Sequence, residues 1–127
     1  MLIKEEAHKT NFIDENDVFV GYDTWQQCCE SWSWFIANGK NEENFDGTKV
    51  IPEGDLPEVL QGYVFDTKYF EEKGSSTDWE DNSIVQFRLV KKGEKNLYLN
   101  LTNSHNGYYS HGFIAKVGGE VWQEGYI

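Results

Sequence analysis

Cys28-Cys29-Glu30, His105 and His111 are the residues whose types could carry chemistry in this chain. Thiolate and imidazole together are the donor set of tetrahedral zinc. The spacing argues against a metal, because adjacent cysteines rarely both reach one ion and neither a C-x-x-C nor an H-x-x-H pair is present. The two cysteines cannot bridge each other without a strained ring, so reduced thiols are expected. A cysteine nucleophile needs a positive neighbour to hold its thiolate, whereas Glu30 and the acidic surroundings would raise the thiol pKa. The plain reading of such thiols is small apolar side chains. No catalytic residue, metal or cofactor is therefore expected.

Ser104-His105 and Ser110-His111 pair a hydroxyl with an imidazole, but neighbours on a strand point to opposite faces and cannot serve each other. Gly107 to Gly112 lacks the G-x-S-x-G spacing of a nucleophile elbow. No phosphate-cradling glycine loop occurs either. Asp78, Glu80 and Asp81 beside Trp79 resemble an acid/base pair with a stacking platform, though so charged a stretch ordinarily stays solvated. Asn103 to Ser110 is the densest run of groups that both stack and hydrogen-bond, the chemistry of adaptable contact surfaces. Turn formation alone would explain Asn106 and Gly107.

The elements that must position these groups show best in the second half. Residues alternate with period two over Ile84 to Val90, Leu97 to Thr102 and Phe113 to Val117, which predicts half-buried strands. Lys91 to Lys95, His105 to Gly107 and Gly118-Gly119 punctuate them, so an antiparallel C-terminal meander is expected. In the hairpin expected between the last two of these strands, a three-residue loop, Asn106 to Tyr108, sets Leu97, Leu99 and Leu101 opposite Val117, Ala115 and Phe113. That register also makes His105 and His111 diagonal neighbours about 7 Å apart at Cβ, able to reach one ligand.

Earlier in the chain, Asp17 to Tyr22 and Tyr63 to Phe70 read as strands. Asp55 to Leu60 reads as a short helix with Pro57 in its first turn and Gly62 ending it. Thr24 to Ile36 carries both a helical spacing behind a Thr24-x-x-Gln27 capping box and a strand-like Ser31-Trp32-Ser33-Trp34. The expectation there is a helical turn from about Thr24 to Glu30, followed by a short strand. Asn38 to Gly54 and Glu71 to Asp81 are read as polar loops. The fold class is thus α+β, one domain of mostly antiparallel sheet with one or two short helices.

Composition bounds the function. The 127 residues include 20 aromatics and only two prolines, enough to build a core without staples. With 22 acidic residues against 11 basic ones the chain carries −11. Residues 1 to 81 hold −13 of it, while Ser83 to Val117 holds +4. Such a field repels nucleic acid and anionic membranes and attracts basic protein surfaces. Without a run of about 18 apolar residues or a signal peptide, a cytoplasmic setting is expected, in which the Asn100-Leu101-Thr102 sequon is idle.

Cys28-Cys29-Glu30, Asp55-Leu56 through Leu60-Gln61-Gly62, and Asn106-Gly107-Tyr108-Tyr109-Ser110 resemble a family of small uncharacterised proteins of bacteriophages and bacterial genomes. The similarity spans roughly Asp17 to Val117. Members typically carry His-x-Gln-Asp before the paired cysteines, where this chain has Tyr22 to Gln27 and no histidine. The resemblance implies a compact α+β fold and a phage-related origin, and brings no activity with it.

Two functions follow as expectations. One is a non-enzymatic acidic inhibitor that docks on a basic surface of a host or rival enzyme, including one that binds nucleic acid. Its contact residues would be Asp78, Trp79, Glu80, Asp81, Asn106, Tyr108 and Tyr109, with aromatic anchors holding what charge brings together. The alternative is a small-ligand protein or hydrolase that uses His105 and His111 near Cys28 and Cys29.

Overall fold

A computed structural model describes residues 1–25, 30–39, 51–76, 81–105 and 111–127. Its strands are β1 (Leu2–Glu6), β2 (Lys9–Ile13), β3 (Val18–Asp23), β4 (Glu30–Ala37), β5 (Val64–Ser76), β6 (Asp81–Val90), β7 (Leu97–His105), β8 (Gly112–Val117) and β9 (Glu120–Tyr126). A 3-10 turn at Glu53–Asp55 leads into a short helix, α1 (Leu56–Val59), the only α-helix among the described residues. The strands form two antiparallel sheets, one ordered β1-β2-β3-β8-β9 and the other β4-β7-β6-β5. The fold is mainly β, and among the described residues α-helix is confined to one turn.

Alternation decides what is buried. Val18, Val20 and Tyr22 of β3 and Phe113 and Ala115 of β8 share a core with Val85, Phe87 and Leu89 of β6 and Leu97, Leu99 and Leu101 of β7. Phe87 lies at its centre, edge-on or tilted against Phe65, Phe70, Phe113 and Trp122 at centroid distances of 5.3 to 6.5 Å. Leu56 and Leu60 bury α1 into this core, and Gly62, at φ +82°, reverses the chain into β5. Gly118 and Gly119, both at positive φ, make the tight turn between β8 and β9.

Polar ties join the layers where apolar burial alone leaves backbone groups stranded. Tyr22 Oη on β3 donates to the Thr102 carbonyl on β7 at 2.6 Å. Asp14, buried between β2 and β3, accepts the amides of Asn16 and Val18 with Oδ1, at 2.9 Å each, and that of Phe65 on β5 with Oδ2 at 2.8 Å.

The expected strands at Asp17 to Tyr22, Tyr63 to Phe70, Ile84 to Val90, Leu97 to Thr102 and Phe113 to Val117 are present, most of them longer than their sequence signals. The meander needs correction: β6 pairs with β7, but β8 pairs with β3 and β9 in the other sheet. Leu97, Leu99 and Leu101 therefore face Phe113 and Ala115 across the core, not along a hairpin, and Val117 is partly exposed. Thr24 and Trp25 form no helix and Glu30 already belongs to β4, so the expected helical turn is absent at both its ends, while Gln26 to Cys29 lie outside the described residues; the short strand expected after it is present in β4. Glu71 to Ser76, expected as loop, continues β5 along the sheet edge.

Candidate functional site

The sheet β4-β7-β6-β5 ends in a single row, in which Glu30 pairs with His105, His105 with Asp81, and Asp81 with Ser76. Asp81, an expected contact residue, and His105, of the alternative ligand site, are thus directly paired as strand residues. Cys28, Cys29, Asp78, Trp79, Glu80, Asn106, Tyr108 and Tyr109 lie outside the described residues.

His111 is fully buried at the same end of the sandwich. Its backbone amide donates to the Ile127 carbonyl at 2.7 Å, and its own carbonyl accepts the Ile127 amide at 2.9 Å. Its Nδ1 meets the Asp23 carbonyl, an acceptor only, so Nδ1 carries the proton in this contact. Tyr22 and Trp32 close around the ring at centroid distances of 5.9 and 6.1 Å, and Asn103 Nδ2 donates to the Ile127 carbonyl at 3.1 Å. The expectation of His105 and His111 as cross-strand neighbours is corrected, because β7 and β8 belong to different sheets. Among the described residues no group of three or more His, Cys, Asp and Glu is arranged to hold a metal ion.

An open site lies where the edge strands β1 and β4 flank the mouth of the sandwich. Two adjoining hollows of about 440 and 360 Å3 share Glu5, Trp34 and Glu53. Apolar side chains of Met1, Ile3, Leu56 and Leu60 line the first, while Glu6, Lys9 and Trp32 line the second. Trp32 Nε1 is buried there without a hydrogen-bond partner. Glu5, Glu6 and Glu53 are exposed, so the cleft combines an apolar floor with an acidic rim.

The remaining acid is distributed differently. On β5, at the far edge of its sheet, Asp66 pairs with Arg88 at 3.6 Å and Glu71 with Lys73 at 3.7 Å. The Arg88 guanidinium also lies over the Tyr69 ring at 3.9 Å, and Tyr69 Oη donates to Gln86 Oε1 at 2.6 Å. Burial, followed by the charge of Glu71, pushes the Tyr69 hydroxyl up to about 12. Asp66 and Glu71 on β5 thus have local cations, and they belong to the other sheet from Glu5 and Glu6.

Sequence reasoning missed the cleft because it assigned no element to the first 13 residues. The available signal was the short alternation Lys9-Thr10-Asn11-Phe12-Ile13, in which Thr10 and Phe12 are buried. No protein-family model, curated protein or solved structure matches this chain. No helix among the described residues is long and apolar enough to cross a membrane.

Proposed function

We propose that this protein is a non-enzymatic acidic binding protein that acts in the cytoplasm and docks on a basic surface of another protein. The observation that carries the reading is the β1/β4 cleft, where Glu5, Glu6 and Glu53 rim an apolar floor containing Trp34 and Leu56. Its occupant is a partner segment that inserts apolar side chains between flanking lysines or arginines. Charge at −11 speeds the encounter, and desolvated aromatic and aliphatic contacts hold it. Surfaces of that kind occur on enzymes that bind nucleic acid. With a phage-related origin, the partner is a host or rival enzyme and the protein its inhibitor. The histidine-based ligand reading has less support, since His111 is fully buried and its Nδ1 is committed to a backbone carbonyl.

Immobilised protein should retain a basic protein from bacterial lysate at low salt, with slowed amide exchange over Leu2–Glu6 in the complex. The Glu5→Lys/Glu53→Lys variant should release it. Retention that survives both high salt and the charge reversal would remove this reading.

A further inference from the structure

A second concavity lies on the opposite side of the first sheet. The outward residues of β2, β3, β8 and β9 form a trough of about 610 Å3, within the range of roughly 300–1,000 Å3 usual for small-ligand sites. Aromatic rings lie over two of its glycines. A Cβ on Gly21 would stand 2.8 Å from Phe19 Cζ and 3.0 Å from Asn11 Oδ1, so an aromatic ring and an amide close over bare backbone there. A Cβ on Gly112 would meet Tyr126 Cε1 at 3.4 Å, which places a second ring beside a second bare position. Tyr126 is 79% exposed, the most exposed large apolar side chain among the described residues.

We propose that this trough binds a neutral saccharide. Sugar rings present C–H faces that stack on aromatic rings and hydroxyls that need both acceptors and donors. Phe19 and Tyr126 supply the rings, Asp23 and Glu124 the acceptors, and Lys9 the donor. Asn11 Oδ1 is buried without a hydrogen-bond partner, a state that costs stability until a donor arrives. A sugar hydroxyl that reaches Asn11 from the trough beside the Phe19 ring provides that donor. Two carboxylates against one lysine, on a chain at −11, disfavour uronic and sialic acids. The trough shares only Lys9 with the acidic cleft, so the two sites are tested by different substitutions.

The test is a titration of the 15N-labelled protein with glucose, galactose, mannose, N-acetylglucosamine and glucuronic acid. Each is taken to about 10 mM, where a Kd near 1 mM gives about nine-tenths occupancy. At least one neutral sugar should shift the amides of Asn11, Gly21, Gly112 and Tyr126, while glucuronic acid does not. Tyr126→Ala should weaken binding about three- to tenfold, the loss expected for one stacked ring, with an unchanged melting temperature. Gly21→Ala should weaken binding by displacing the Phe19 ring and the Asn11 amide, which its Cβ would meet at 2.8 and 3.0 Å. Shifts confined to other surfaces, preference for glucuronic acid, no shift with any neutral sugar, or full affinity in Tyr126→Ala would each overturn the proposal.

Discussion

Asp14 provides a stringent test of how the two sheets are held together. Its carboxylate accepts three backbone amides, and the amide of Phe65 comes from the opposite sheet. In Asp14→Ala the Asn16 amide, at the margin, can turn to water. The Val18 and Phe65 amides are enclosed, and each stranded donor costs about 1–3 kcal/mol, giving a loss of about 2–6 kcal/mol. For a domain of this size the melting temperature should fall by about 10 °C or more. Asp14→Asn keeps one acceptor oxygen but sets an amide nitrogen against one of the donors, so its loss should be smaller yet measurable. Urea denaturation gives the free energies, and native-state exchange should show the Val18 and Phe65 amides losing protection in both variants. An alanine variant within about 1 kcal/mol of the parent would refute the assignment of Asp14 as an inter-sheet tie.

Three further expectations concern the same scaffold. Phe87→Ala removes a ring that touches four other aromatics and should cost about 3–5 kcal/mol by urea denaturation. Tyr22→Phe deletes the 2.6 Å bond to the Thr102 carbonyl while keeping the ring, with an expected loss of about 1–3 kcal/mol. Tyrosinate absorbance should show one hydroxyl that ionises near pH 12, two units above the ordinary 10.0, and absent from Tyr69→Phe. Because this folded-state value is raised, the parent should lose stability relative to Tyr69→Phe as pH climbs from about 10 to 12, where the unfolded tyrosine ionises first.

Strand positions in the second half were legible because one face of each strand is buried and period two survives in the residues. Their partners were not. Matching apolar rows on Leu97 to Leu101 and Phe113 to Val117 say that both strands face the core, which is equally true of hairpin neighbours and of strands in opposite layers. The partial exposure of Val117 records the difference, and alternation alone could not supply it. Edge strands were illegible for another reason. Glu71-Glu72-Lys73 on β5 and Glu120 to Tyr126 on β9 carry charge and Gly, which discourage edge-to-edge pairing and also imitate loop composition. Of the expected site residues, the structure shows His111 as a buried packing and hydrogen-bonding group at the strand ends. Glu5, Glu6 and Glu53 needed the fold to meet, because Glu53 lies 48 positions from Glu5 in the sequence.

The most direct test of the docking claim is the affinity for the captured basic partner at about 50 mM and about 300 mM salt, for the parent and for Glu5→Lys/Glu53→Lys. The account predicts a fall of about tenfold or more for the parent across that range, with the variant already weak at low salt and nearly insensitive to further salt. Equal affinities for parent and variant at both salt concentrations would contradict it.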